Sequence, residues 1–126
     1  MKRSWIGFAL LIVLLVLSLL VTGFMTRIHE SIEMDLRQSG ECALEKDWDS
    51  ADLFYRRALR TWNKWAHLRA CFADHNPVED IDASFAALDI YRQTRETISY
   101  TAACAALSKQ VAAVGEAHEL VWWNVF

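Results

Sequence analysis

The stretch that decides the fold of this chain is residues 4–26, which read SWIGFALLIVLLVLSLLVTGFMT. It contains 23 residues and no charged side chain. As an α-helix it would be roughly 34 Å long, which is enough to cross a hydrocarbon core of about 30 Å. We therefore expect residues 1–26 to form a cytoplasmic N-terminus and a transmembrane anchor. Residues 27–126 should form a separate, polar domain.

The residues before this stretch predict its orientation. Lys2, Arg3 and the terminal amine are positive, and positive flanks stay in the cytoplasm. The polar domain should therefore lie outside the cell membrane, on a single-pass protein, with Trp5 as an interfacial aromatic residue. A cleaved secretory signal is the alternative, because residues 21–23 are small enough for a cleavage site. The apolar run is, however, longer than the usual signal core of about 7–15 residues.

The composition of the remaining chain is typical of a small helical bundle. The whole chain has one proline and four glycines, which disfavours β-sandwiches and disorder. Two of the 13 basic residues precede the apolar stretch, so the rest carries 11 basic and 16 acidic side chains, a net charge of −5. This acidic balance excludes nucleic acid as an expected partner. One hundred residues allow a single domain.

Apolar residues spaced by three and four predict an all-α fold of about four antiparallel helices. The first helix should continue from the apolar stretch without a break to about Lys46. The others should cover about residues 48–72, 78–92 and 98–120, the last of them or beyond. Because the helices alternate in direction, the loop near His75 and the C-terminal tail should both lie close to the membrane.

The start of the third helix has a capping pattern. Asn76 can cap the helix, Pro77 suits the first helical position, and Glu79 completes a capping box. His75 lies in an acidic segment, residues 74–82, and such oxygen-rich segments can hold hard cations. Helix capping and the preference of acids for a helix start explain the same residues. We therefore predict no metal here.

The second helix carries the strongest candidate for a binding surface. A run of cations without an acid among them follows its apolar stripe, together with a tryptophan. These residues are Arg56, Arg57, Arg60, Lys64 and Trp65. One interpretation is that the cations pair with acids of neighbouring helices. The other is that they bind a protein partner, or an anionic ligand such as a lipid headgroup or an envelope polymer.

Aromatic residues at the C-terminus form a second candidate surface. Trp122, Trp123 and Phe126 fall where the last helix should return to the membrane, and tryptophan favours membrane interfaces. They would then contact the membrane on the side opposite to Trp5. The alternative is that they cover the end of the bundle core.

No sequence pattern predicts a catalytic or metal site. The four histidines do not form a metal-ligand pair, and no P-loop, nucleophile elbow or dinucleotide motif is present. His29 is followed by Glu30 and Glu33, so it is expected on a solvated face beside the membrane. The chain has an odd number of cysteines, which are Cys42, Cys71 and Cys104. Buried free thiols are therefore expected, and a disulfide bond between Cys42 and Cys104 is the alternative. We expect no enzyme and no cofactor.

Residues 47–59 resemble the second helix of a tetratricopeptide repeat. Trp48, Ala51, Tyr55 and the pair Ala58-Leu59 have the aromatic and small-residue spacing of that helix. Only one such match is present, whereas a repeat array needs about three. The resemblance therefore implies a helical hairpin and not a solenoid.

A second resemblance covers nearly the whole chain. Its pattern begins with an apolar span that follows positively charged residues. A helix bounded by two tryptophans, a His-Asn turn and a C-terminus that contains Asn come after it. The residues at these points are Trp48, Ala51, Trp62, His75, Asn76 and Asn124. In this the chain resembles an uncharacterised bacterial membrane-anchored family, domain of unknown function 4363. The resemblance implies a single-span, extracytoplasmic helical protein and supplies no activity.

These patterns lead to two hypotheses about function. The first is a structural or adaptor protein of the cell envelope that binds a partner in or near the membrane through the second helix. The alternative is a module that binds an anionic lipid headgroup or polymer through the cations of that helix. Self-association through the alanine-rich last helix is also possible. Charge-driven ligand binding should weaken steeply with salt, and an apolar protein interface should not.

Overall fold

The structure is a computed structural model that describes the backbone of residues 1–66 and 75–125 and the side chains of residues 1–66 and 77–116. Within these ranges the chain is all-α, with four helices and no strand. The helices are α1 (Lys2–Leu44), α2 (Trp48–Lys64), α3 (His75–Thr94) and α4 (Thr97–Val125). The predicted fold class, a long N-terminal helix continuous with a small helical bundle, is confirmed.

Helix α1 joins the apolar stretch to the polar domain without interruption. It has 43 residues and is therefore about 64 Å long. Residues 1–17 are exposed on all sides, whereas from Met25 onward one side of the helix is buried. Among the described residues, α1 is the one helix long and apolar enough to cross a membrane.

The connection between α1 and α2 is a tight turn. Lys46 has a φ of 61°, and the N–H of Asp47 donates to the carbonyl of Cys42 at 2.9 Å. Asp47 then caps α2, because its Oδ1 accepts a hydrogen bond from the N–H of Ser50 at 3.2 Å. This bonding to Ser50 lowers the pKa of Asp47. The first helix thus ends at Leu44, close to its predicted end.

Helix α2 ends at Lys64, so the prediction of one unbroken helix from Trp48 onward was wrong at Trp65, and the rest of its predicted course, residues 67–72, lies outside the described residues. The backbone of Trp65 leaves the helical conformation, with φ −102° and ψ 13°. Its ring packs edge-on against Phe24 of α1, with the ring centroids 4.9 Å apart. This contact between helices fixes the residue just past the end of α2, and helical periodicity alone does not reveal it.

The third helix differs from its predicted start. The helical backbone already includes His75 and Asn76, so the capping position predicted at Asn76 was wrong. A cap residue has a non-helical backbone, and Asn76 does not. Pro77 still lies in the first turn of the described helix, where its missing N–H leaves no bond unmade. The fourth helix covers its predicted range and extends past it to Val125.

The helices pack antiparallel around one core. Helix α1 contacts α2 and α4, and α3 contacts α4. Helices α2 and α3 meet through larger side chains, of which Tyr55 and Phe85 are one pair. We call the end of the bundle from which the apolar stretch emerges the proximal end. Because the directions alternate, the end of α2 lies there beside Phe24.

The core is a single cluster drawn from all four helices. Its largest members have almost no exposed surface, which makes the helices a single packing unit. They are Trp62, Tyr100, Ile32, Leu36, Ile81, Leu88, Leu107 and Val111. The apolar side chains of the first 17 residues take no part in this core, and the protein leaves them uncovered.

Candidate functional site

The cationic surface predicted on α2 is present in part. Arg56, Arg60 and Lys64 are exposed and follow one another at intervals of four residues. Such spacing places them on one line about 12 Å long along the outer side of the helix. None of the three forms an ion pair within the described part of the chain. We call these three residues the α2 ridge.

Arg57 does not belong to the α2 ridge. Its Nε and Nη2 donate to the two carboxylate oxygens of Asp35 on α1, at 3.1 and 2.8 Å. The Asp35 side chain is 3% exposed, whereas that of Arg57 is 60% exposed. The hydrogen bonds and charge of Asp35 raise the pKa of Arg57. For Arg57, therefore, pairing with an acid of a neighbouring helix is the correct interpretation.

Other arginines join α2 to α3. Arg92 lies 3.2 Å from Asp52 of α2 and 2.6 Å from Asp89, and Arg95 lies 3.5 Å from Asp52. The guanidinium of Arg92 also stands over the ring of Tyr55, 4.9 Å from its centroid. These ion pairs, like the one between Arg57 and Asp35, hold neighbouring helices together.

An aromatic pair lies at the proximal end of the α2 ridge. Trp65 is half-buried against Phe24, and the ammonium of Lys64 lies 5.4 Å from the centroid of the Trp65 ring. This is a cation–π distance. Phe24 remains 46% exposed at the end of the apolar stretch. Trp65 therefore links α2 to α1 and is only partly available to a partner.

Sequence reasoning missed Leu53, which lies one turn before the α2 ridge. Its side chain is 63% exposed on the outer side of the helix. A signal was present, because Leu53 falls outside the buried line of Ala51, Tyr55 and Ala58. Together with Arg56 and Arg60 it gives α2 an outer face with both apolar and cationic groups.

A buried hydrogen-bond network fixes the distal end of the bundle. Ser39 of α1 donates to the carbonyl of Ala51 at 2.6 Å, so the Tyr100 hydroxyl, 2.5 Å away, donates to Ser39. Burial raises the pKa of Tyr100. Burial also raises the pKa of the neighbouring Cys104 thiol to about 12, which keeps it protonated. The network joins α1, α2 and α4.

The two cysteines whose side chains are described are free thiols, as predicted, and the alternative bond between them was wrong. Cys104 is buried, but Cys42 is only half-buried, so its predicted burial was too high. Cys42 lies near Asp47, and burial together with the surrounding acids raises its pKa. Neither thiol has the lowered pKa of a reactive cysteine. Cys71 lies outside the described residues.

His29 is buried, so its predicted solvation was wrong. Its side chain is 3% exposed and packs against Gly115 of α4, where a Cβ would come within 3.6 Å of the His29 Cβ. The imidazole Nδ1 donates to the carbonyl of Met25 at 2.8 Å. Through this contact α4 covers the imidazole. Of the other histidines, the side chains of His67, His75 and His118 lie outside the described residues.

A cleft of about 220 Å³ opens beside His29 between α1 and α4. It is acidic, because Glu30, Glu33 and Glu116 line it. Partial burial raises the pKa of Glu33, and Glu30 and Glu116 raise it further, against the lowering effect of Arg37. Among the described residues no group of three or more side chains is placed to hold a metal ion. The cleft is thus a region of mutual repulsion.

We expect Glu33→Gln to stabilise the bundle at neutral pH. A raised pKa in the folded state means that folding favours the protonated carboxyl, so its contribution to stability is lost as pH rises through that pKa. Glutamine removes this penalty, which we expect to be on the order of 0.5 kcal/mol for a partly exposed group. Thermal unfolding of the full-length protein, followed by circular dichroism, should show the gain at pH 7 and its disappearance at about pH 3.5.

The control for this prediction is Glu96→Gln, which changes an exposed glutamate outside the cleft. It should give no gain at either pH. An equal gain from both variants would mean that the lower net charge is responsible, and the cleft would then have no special effect.

The motif residues that support the family resemblance are structural where they are described. Ala51 and Trp62 are fully buried, and Trp48 packs on Tyr100 with the ring centroids 5.2 Å apart. Trp5 is 75% exposed in the apolar stretch. The remaining side chains singled out in the sequence lie outside the described residues. They are His75, Asn76, Trp122, Trp123, Asn124 and Phe126.

These features define a class: a small helical bundle built on a long N-terminal helix whose first part could cross a membrane. A family model described as Domain of unknown function (DUF4363) matches residues 20–125. The chain belongs to this family, as the resemblance in its sequence predicted. No match was found among curated proteins or among solved structures. The family match begins within the apolar stretch, so most of that stretch precedes it.

Proposed function

We propose that this protein is a structural or adaptor protein of the bacterial cell envelope. It is anchored in the cell membrane by residues 4–26, with a cytoplasmic N-terminus and the bundle outside. It binds a protein partner in or near the membrane through the outer face of α2. The observation that carries this proposal is the continuity of α1, since one helix forms both the apolar stretch and a wall of the core. The bundle is thereby held at a fixed position relative to the anchor.

The exposure of the apolar stretch supports the anchor. The first 17 residues are exposed on all sides, and they include a continuous run of leucine, isoleucine and valine side chains. An apolar surface of this extent does not remain in contact with water in a soluble protein, so lipid is its natural environment. Lys2 and Arg3 support the proposed orientation.

The outer face of α2 supports the partner site. Leu53, Arg56 and Arg60 are exposed, and neither arginine has an acidic partner among the described residues. Arginine suits protein interfaces because its planar guanidinium binds carboxylates in a bidentate manner. Helix α2 itself is fixed at its start by the Asp47 cap and at its end by the contact of Trp65 with Phe24. A partner with an acidic, partly apolar surface would therefore meet a preorganised face.

Crosslinking in the native membrane tests the proposal. We expect a photo-crosslinker at Leu53 to capture one membrane or envelope protein in stoichiometric amount. The double variant Arg56→Glu, Arg60→Glu should lower its recovery by more than about tenfold, because both introduced glutamates would repel an acidic partner. Lys109→Glu, which reverses an exposed cation on α4, is the matched control and should leave recovery unchanged. Recovery of this protein alone, as monomer or oligomer, would contradict the adaptor role.

The second candidate function is binding of an anionic ligand, a lipid headgroup or an envelope polymer. The observation in its favour is the α2 ridge, since its three cations lie on one line without ion pairs in the described chain. The two candidates respond differently to the same variants. Binding of a polyanion should weaken steeply with salt and ignore Leu53→Ala, whereas a protein interface should lose affinity through Leu53→Ala and depend less on salt.

A further inference from the structure

The part of the apolar stretch that is free of protein contacts is too short to cross a membrane. Residues 5–17 are exposed and measure about 20 Å as a helix, against a hydrocarbon core of about 30 Å. Ser18 is half-buried, and Val21 packs against the bundle core. If α1 crosses the whole hydrocarbon core, the membrane must therefore also surround the proximal end of the bundle.

The outer boundary of the hydrocarbon falls near Phe24. A span needs about 20 residues, and counting these from Trp5 reaches Phe24. At this level the Trp65 ring meets Phe24 edge-on at 4.9 Å, and 46% of the Phe24 surface is still exposed. An aromatic pair of this kind suits the boundary between acyl chains and headgroups.

Two cations lie close to this aromatic pair along the chain. Lys64 holds its ammonium 5.4 Å from the centroid of the Trp65 ring. Arg27 is exposed on α1, one helical turn beyond Phe24 on the side of the bundle. Neither forms an ion pair within the described chain. The acids of this part of α1, Glu30 and Glu33, instead line the cleft towards α4.

This arrangement matches the chemistry of an anionic phospholipid. Phosphate oxygens accept hydrogen bonds from lysine and arginine, and the apolar glycerol and acyl regions can lie against aromatic rings. A zwitterionic headgroup would also bring a cation, which would meet Arg27 and Lys64, two cations without an ion pair in the described chain. The positive charge of Arg27 and Lys64 thus favours a lipid with net negative charge.

We infer that the seam between α1 and α2 formed by Phe24, Arg27, Lys64 and Trp65 binds an anionic phospholipid of the leaflet on the bundle's side. Arg27 and Lys64 hold the phosphate, and Phe24 and Trp65 contact the apolar part of the lipid. This site rests on the proposed membrane anchoring, and it fixes the height of the bundle above the membrane. It lies below the outer face of α2 that we assign to the protein partner.

Lipid retention by the full-length protein tests the site. The protein is incorporated into nanodiscs that contain equal amounts of phosphatidylglycerol and phosphatidylcholine with the same acyl chains, and retained lipids are counted by native mass spectrometry. All measurements use a Lys2→Gln, Arg3→Gln background, since those cations would bind anionic lipid at the other end of the span. We expect phosphatidylglycerol to be retained in preference to phosphatidylcholine by on the order of tenfold.

Substitutions test which residues cause the preference for phosphatidylglycerol. Arg27→Gln and Lys64→Gln should each lower it by about fivefold, whereas Lys64→Arg should preserve it. Lys109→Gln is the matched control, because Lys109 is an exposed cation of α4 that belongs neither to the boundary nor to the α2 ridge. Its effect on the preference should be less than twofold. Circular dichroism checks that every variant retains the helical content of the parent.

Two results with the substituted proteins would overturn the inference. The first is an unchanged lipid preference in both Arg27→Gln and Lys64→Gln, and the second is an equal loss in Lys109→Gln, which would show attraction to the net charge alone. Failure of the protein to incorporate into the discs as an integral protein would overturn the anchoring and the site together. Incorporation without lipid preference would remove the site and leave the anchoring and the adaptor proposal standing.

Discussion

Trp62→Ala is expected to destabilise the bundle by about 3–5 kcal/mol, the range measured for loss of a large buried aromatic side chain. Trp62 has no exposed surface, and its ring lies 6.2 Å from that of Phe85, centroid to centroid. Its Nε1 donates to Asp82 at 2.7 Å. The side chain therefore fills the space between α2 and α3 and also connects them by a hydrogen bond. Alanine would leave a cavity where these two helices meet.

The measurement is denaturant unfolding of the full-length protein in detergent micelles, followed by far-ultraviolet circular dichroism. Trp62→Phe keeps an aromatic ring and loses the hydrogen bond to Asp82, so it should cost about 1–2 kcal/mol. Trp48→Ala, which removes a half-buried ring, should cost less than Trp62→Ala. A loss below about 1 kcal/mol for Trp62→Ala would contradict the structure, because it would place the ring outside the core.

Arg57→Ala is expected to destabilise the bundle by about 2–3 kcal/mol, although Arg57 itself is mostly exposed. The cause lies in its partner, because the Asp35 carboxylate is 3% exposed and would lose the guanidinium that pairs with it. Loss of one partner from a fully buried pair costs roughly 3–5 kcal/mol. We expect less here, since the 60% exposure of Arg57 would let water reach the carboxylate once the guanidinium is removed.

A double-mutant cycle with Asp35→Ala checks this reason. The double variant should be more stable than Arg57→Ala alone, because it no longer contains a buried unpaired carboxylate. Arg56→Ala is the control, as Arg56 is adjacent in sequence, exposed and without an ion pair in the described chain, and its effect should stay within about 0.5 kcal/mol. Equal effects of Arg56→Ala and Arg57→Ala would contradict the pairing.

The elements of the fold could be predicted because their signals are local. The helical spacing of apolar residues gave the all-α class and the line of Ala51, Tyr55, Ala58 and Trp62 as the buried side of α2. The end of α2 could not be predicted in this way. It depends on the contact between Trp65 and Phe24, which are far apart in the sequence.

The sequence predicted a cationic site on α2, but it did not predict which cations are free to form it. Arg56 and Arg57 have the same chemistry and adjacent positions, yet successive helical residues point about 100° apart. Arg57 therefore reaches Asp35 on α1, whereas Arg56 extends into solvent. His29 shows the same limit, because its burial comes from packing against Gly115 on another helix.

The sequence by itself determined the apolar stretch, the helical class, the family and the presence of a cationic segment on α2. Each of these depends on composition or on periodicity within one segment. The tertiary structure decided which cations are paired, that His29 is buried in an acidic region, and that Phe24 and Trp65 meet beside Lys64. These are properties of contacts between helices, and such contacts depend on the direction and register in which the helices pack.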